Sequence, residues 1–230
     1  MDPQEPRITE TLLSQKPRNH SFLVATLSLL AMLNLTMLAW RSGPEPFGGM
    51  AAVPERILVD GEYWRLWTSM AVHADISHFA SNAVFIGFFG FLLYGYFGFW
   101  IYPVWCLLLG ALTTYLSVLT YPPGAQLVGA SGLVYLMAGF WLTMYVLVER
   151  RHSRGKRFLQ AIGFAVLVFF PTSFHEQISY RTHAIGFGLG LVQAVAFFQI
   201  YKSRIRSAEV VEGPAERGPK VEGVEPEWAD

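Results

Sequence analysis

The sequence predicts an all-α membrane protein, a six-transmembrane-helix bundle with both termini on the cytoplasmic side (N-in/C-in). Three observations carry that reading. Of the 230 residues, 53% are hydrophobic and 15% charged, with a mean hydropathy of +0.35; soluble domains carry about 25% charged residues. No Asp, Glu, Lys or Arg occurs in residues 76–148. That run is long enough for three spans of roughly 20 residues each, and a water-facing helix would need a polar face somewhere within it. Finally, Lys and Arg are distributed unevenly between alternate connecting segments, which sets orientation.

The first span is 21–40. Its apolar stretch exceeds the ~7–15 residues of a signal-peptide core. Asp2, Glu5 and Glu10 precede it, and no small-residue cleavage site comes before Arg41. It is therefore read as a span and not as a signal or transit peptide. The uncharged run supplies spans at 77–98, 102–120 and 131–149. Residues 98–103 break it once, and Tyr121-Pro122-Pro123-Gly124 breaks it again. The last two spans are 158–174, somewhat short, and 183–201. The apolar runs are continuous and do not alternate, which excludes the strands of an outer-membrane barrel.

With the N-terminus inside, the cytoplasmic segments hold Arg7, Lys16 and Arg18, the cluster Arg150, Arg151, Arg154, Lys156 and Arg157, and Lys202, Arg204, Arg206, Arg217 and Lys220. The outside segments hold only Arg41, Arg56, Arg65 and Arg181. The expected organisation is a short cytoplasmic segment 1–20, a membrane domain 21–203 with a long outside loop 41–76, and a tail 204–230. That tail is rich in Glu, Gly and Pro, and is expected to be disordered. Acidic and basic residues balance at 17 each, which excludes a nucleic-acid binder held by a global basic field. A single cysteine, Cys106, excludes an intramolecular disulfide or a multi-thiolate metal site.

Within spans so poor in charge, the polar residues become informative, because such groups are costly at membrane depth and turn towards a bundle interior or a water cavity. His78 and Asn82 open span two, Ser131 opens span four and His183 opens span six. All three spans run inward, so the four groups share one depth near the outer surface. His78 and Asn82 are i and i+4 and project from one helix face. Ser131 lies in Gly129-Ala130-Ser131-Gly132, at a helix start where backbone N–H groups lack intrahelical acceptors. Each residue alone also has a plain structural use: a serine there caps a helix, His and Asn bond helix to helix, and Gly132, Gly139, Gly186 and Gly190 permit close packing.

The combination adds chemistry. A serine becomes a nucleophile when a base adjoins it, and His183 is at the same depth. His78 and Asn82 supply donors for a developing oxyanion. Apart from Glu149 at the inner end of span four, no carboxylate lies in the spans, so the available arrangement is a dyad. Tyr135, one turn beyond Ser131, is an aromatic ring available to orient His183.

These pieces, in this order, resemble the rhomboid family of intramembrane serine proteases: Glu62-Tyr63-Trp64-Arg65 in the outside loop, His73-x4-His78-x3-Asn82 entering span two, Gly129-Ala130-Ser131-Gly132 with Tyr135 following, and His183-Ala184-Ile185-Gly186 followed by Gly190. The resemblance covers about residues 55–200. It implies Ser131 as nucleophile and His183 as general base. It also implies an oxyanion hole of His78 and Asn82 with the Ser131 and Ala130 amides, Tyr135 stacked on His183, and Trp64 and Arg65 structuring the outside loop at the interface. It implies transmembrane protein substrates cut near their outer ends within the lipid bilayer, with no metal and no cofactor. In a bacterium the membrane would be the cytoplasmic (inner) one.

Two other readings compete. A catalytically silent relative would bind membrane clients, although such relatives usually lack the serine or the histidine. A metal-binding protein would use His73, His78, His175 and His183 with Glu176, although His73 and His78 share a helical face poorly. For a protease, span five and the loop 171–181, with Phe169 and Phe170, are the expected gate for a substrate helix.

Overall fold

The computed structural model describes residues 6–42, 46–169 and 179–213. Its elements in chain order are β1 (Arg7–Glu10), α1 (Ser21–Arg41), α2 (Pro54–Leu58), α3 (Arg65–Ala71), α4 (Ile76–Phe97), a π-helical turn Trp100–Trp105 leading into α5 (Cys106–Val118), α6 (Ser131–Val148), α7 (Arg154–Phe169), α8 (Tyr180–Ser207) and β2 (Val210–Glu212). Five helical stretches are long and apolar enough to cross a membrane: α1, α4, the turn with α5, α6 and α8. The protein is a multi-pass integral membrane protein. Exposed apolar side chains such as Phe22 and Leu23 on α1, Val84 on α4 and Val192 on α8 form the surface that lipid would cover.

The bundle is built around α6. Leu136, Met137, Phe140 and Met144 are fully buried, with Phe89, Leu93 and Phe97 of α4 beside them. α8 lies directly against α6, backbone to backbone. A Cβ on Gly186 would collide with the Gly132 carbonyl, one on Gly190 with the Leu136 carbonyl, and one on Gly139 with the Phe187 carbonyl. Without a hydrophobic driving force between helices in lipid, such small-residue contacts and the dispersion they allow are what hold a pair together.

α1 packs on α4 at the periphery, and α7 packs on α6. Asp75 caps α4 by accepting from the His78 amide at 2.8 Å, and Gly98 ends that helix at φ 81°. The segment between α1 and α4 is folded around Arg65, which is buried. It donates to the Gly49 carbonyl and the Glu62 carboxylate, and to the Ala51 carbonyl at 3.1 Å. Ala52 then exchanges two backbone hydrogen bonds of 2.9 Å with Leu127, tying this segment to the loop before α6.

Several boundaries differ from the sequence expectation. α7 begins at Arg154, four residues before the expected span, and residues 170–174 lie outside those described. α8 runs from Tyr180 to Ser207, so it continues past the expected domain end at 203. The terminal segments are also corrected. β1 and β2 pair antiparallel, Arg7 opposite Glu212 and Ile8 opposite Val211, so the fold is not purely helical and residues 204–213 of the expected disordered tail are folded. Residues 214–230 lie outside those described.

Candidate active site

The loop entering α6 is fixed before its serine is reached. Gly129 has φ 104°, a backbone region that other residues avoid. A Cβ there would also come within 2.5 Å of His78 Cε1 and 2.6 Å of Nε2. Glycine is thus required twice over. The Gly129 amide donates to the Ser69 carbonyl at 2.9 Å, and the Ala130 amide donates to His73 Nε2 at 3.3 Å. Ser131 is the first residue of α6 and is partly exposed. The Val134 amide bonds to the Ala130 carbonyl, so the amides of Ser131, Gly132 and Leu133 precede the intrahelical ladder.

His73, in the short connection between α3 and α4, is the buried hub of this region, 0% exposed. Its Nε2 accepts from Ala130, so its proton sits on Nδ1, 3.2 Å from Thr36 Oγ1. Thr36 in turn donates to the Ala71 carbonyl at 2.6 Å. Trp40 Nε1 donates to the His73 carbonyl at 2.7 Å. Burial, and after it the neighbouring His78, push the His73 pKa down to about 4; the network needs it neutral. The Ala130 amide, expected in the oxyanion hole, is therefore engaged by His73. The one sequence signal for His73 was its spacing ahead of His78.

His183 lies in the first turn of α8. Its ring stacks on Tyr135 of α6, centroids 4.0 Å apart and planes 11° from parallel. Such aromatic pairs contribute about 0.5–1.5 kcal/mol and set the plane of the imidazole. With Gly186 pressed on Gly132 just beyond, Ser131 and His183 open two helices in backbone contact. Among the described residues no hydrogen bond joins the Ser131 hydroxyl to the His183 ring; catalytic hydrogen bonds are often long without substrate.

His78 reaches the same place from α4. It meets His73 edge-on, with centroids 5.1 Å apart, and its ring lies against Gly129. Asn82, one turn below and 5% exposed, donates from Nδ2 to the His78 carbonyl at 3.2 Å, which leaves the second hydrogen of that amide. Ser131, His183, Tyr135, His78, Asn82, Gly129, Gly132 and Gly186 thus converge at one end of the bundle. Among the described residues no three His, Cys, Asp or Glu side chains form a metal-binding group. His175, Glu176, Phe170 and loop residues 171–178 lie outside the described residues, and of Phe169 only the backbone is described.

A family model described as the Rhomboid domain matches residues 60–200. The chain belongs to the rhomboid family. The match begins just ahead of Trp64 and Arg65 in this rhomboid and ends within α8, so it takes in every site residue named above. It leaves out α1 and the terminal sheet. No curated protein matches the chain.

Proposed function

We propose that this rhomboid is an intramembrane serine endopeptidase that cuts transmembrane proteins near the outer face of the membrane. The observation that carries the reading is the Tyr135–His183 stack. It fixes the plane of an imidazole at the start of α8, beside the start of α6 that presents Ser131. Ser131 Oγ attacks the scissile carbonyl and His183 takes its proton. The oxyanion that forms receives hydrogen bonds from the Ser131 amide, the His78 ring and the free hydrogen of the Asn82 amide. His183 passes the proton to the leaving amine, then serves as base for the water that hydrolyses the acyl-enzyme.

In this reading α7 is the fifth of six spans. Its 16 described residues rise about 24 Å, somewhat short of the ~30 Å of hydrocarbon. The Lys and Arg asymmetry supports N-in/C-in topology, with 1–20 and the chain beyond α8 in the cytoplasm, the segment 41–76 outside, and the cytoplasmic membrane as the site in a bacterium. α7, the expected span five, is the gate for a substrate helix. No cofactor or metal enters the chemistry.

The test is cleavage of a fluorogenic transmembrane reporter by full-length protein in proteoliposomes. The wild type cuts it, and Ser131→Ala does not. Binding of the reporter without cleavage, by a folded wild type, would instead identify a catalytically silent client-binding protein.

A further inference from the structure

At the end of the bundle opposite Ser131, a cavity of about 560 Å³ opens between the last turn of α6, the first turns of α7 and the last turns of α8. Five cations line it: Arg150, Arg154, Arg157, Lys202 and Arg206. Its remaining walls are apolar, from Val146, Leu147 and Phe158.

The charges there are poorly matched. Glu209 bridges Arg150 at 3.0 Å and Arg206 at 2.5 Å. Glu149 is taken by Arg151, which grips it with two bonds of 2.7 and 2.8 Å. Among the described residues Arg154 and Lys202 make no ion pair. Arg157 is the most telling. It is 9% exposed, donates from Nη1 to the Val146 carbonyl at 2.5 Å, and has a buried Nε with no partner. The like charges of Arg150, Arg154 and Arg206 bear on it, offset in part by the carboxylate of Glu149. A buried guanidinium with an unused donor and cationic neighbours is costly unless an anion completes the site.

We infer that this cavity binds the phosphate of an anionic phospholipid headgroup. The guanidinium donors of Arg154 and Arg157 suit phosphate oxygens, and Lys202 adds a point charge. The anion is a lipid's and not a free phosphate because the site is continuous with lipid-facing surface. Phe158 forms its wall, and Leu159 and Ile162 are exposed beyond it on α7, where acyl chains would lie. Basic pockets between helix ends at the headgroup level recognise anionic lipids on these terms. A lipid bound there would tie the start of α7 to α6 and α8. Assigning the site to the inner leaflet rests on the proposed N-in orientation; the binding itself does not depend on proteolysis.

The test is native mass spectrometry of the full-length protein titrated with phosphatidylglycerol or phosphatidylcholine. The wild type should retain one phosphatidylglycerol at concentrations where phosphatidylcholine is lost. Arg154→Gln/Lys202→Gln replaces two exposed side chains without disturbing Arg157, and should bind about thirtyfold more weakly at an unchanged lipid-free melting temperature. Arg41→Gln/Arg56→Gln, at the other end, should bind as the wild type does. Equal retention of the two lipids, or undiminished binding by the Arg154/Lys202 variant, would overturn the assignment. Displacement of the lipid by millimolar inorganic phosphate would reassign the cavity to a free anion. A requirement to delete residues 214–230 before any lipid binds would make the chain's own acidic segment the occupant, and would equally overturn it. Labelling of Ser131 by a fluorophosphonate reports separately on the proposed protease, so failure of one reading is distinguishable from failure of the other.

Discussion

The two ends of the α6–α8 pair are built on opposite principles. At the Ser131 end the helices meet through glycines. The loop is pinned by backbone amides, the His73 and His78 rings meet edge-on, His183 stacks on Tyr135, and one carboxylate, Asp75, caps the adjoining helix. At the Arg150 end the helices line a cavity with α7, and fixed charges predominate, some paired and some not. The first end is preorganised, its groups held before any ligand arrives. The second end has an excess of cations, which a ligand can relieve. A single pair of packed helices can therefore hold a reactive site and an anion site about 27 Å apart, given the 18 residues of α6.

Changes that remove chemistry at the Ser131 end should have the largest effect. Ser131→Ala and His183→Ala should each bring turnover to background, about 10⁶-fold down by analogy with other serine nucleophiles and their bases; the melting temperature should be unchanged in Ser131→Ala and lowered in His183→Ala only by the loss of the Tyr135 stack, about 0.5–1.5 kcal/mol. His78→Ala and Asn82→Ala should each cost about 10²–10³ in kcat, the usual effect of losing one oxyanion donor. Equal, total loss at all four positions with a lowered melting temperature would mean that the end is held together by these residues and not merely equipped with them.

Packing changes sharpen the comparison at a lower level. Gly190→Val forces α8 away from the Leu136 carbonyl and should lower stability by about 1–3 kcal/mol or more, measured by thermal or denaturant unfolding in detergent. The corresponding substitution at Gly188, where a Cβ meets nothing within 4 Å, should cost only a few tenths of that.

His73 makes the Ser131 end acid-sensitive. Its pKa is about 4 folded against 6.5 unfolded. As pH falls below 6.5 the unfolded chain takes up a proton that the folded chain refuses. Stability contributed by this residue should therefore be full above pH 6.5, decline down to about pH 4 and level off below. Melting temperatures across that range, compared with His73→Gln, should show the decline flattened in the variant. The smallest effect belongs to the other end: Arg150→Gln, on a partly exposed ion pair, should change stability by under about 1 kcal/mol and leave Ser131 labelling unchanged.

Much of this was legible in the sequence because membrane helices advertise themselves by composition. The starts of α1 and α6 and the breaks at Gly98 and Tyr121–Gly124 follow from local chemistry. α8 starts earlier than its charge pattern suggests because Arg181 sits in its first turn, donating to the Thr120 carbonyl and lying over Tyr121, so a cation does not end the helix. The Tyr135–His183 pair was implied by resemblance, and the two rings lie stacked with centroids 4.0 Å apart. Two features were hidden. The His73–Ala130 bond spans 57 residues of sequence, and no local pattern announces it. The β1–β2 pairing joins the two ends of the chain through short segments whose composition reads as solvated tails.

The most direct test of the central claim, that His183 activates Ser131, is covalent labelling by a fluorophosphonate probe in detergent. The wild type should label at Ser131, while Ser131→Ala should not label and folded His183→Ala should label only at background rate. Labelling of His183→Ala at the wild-type rate, or no labelling of a folded, monodisperse wild type, would contradict the account.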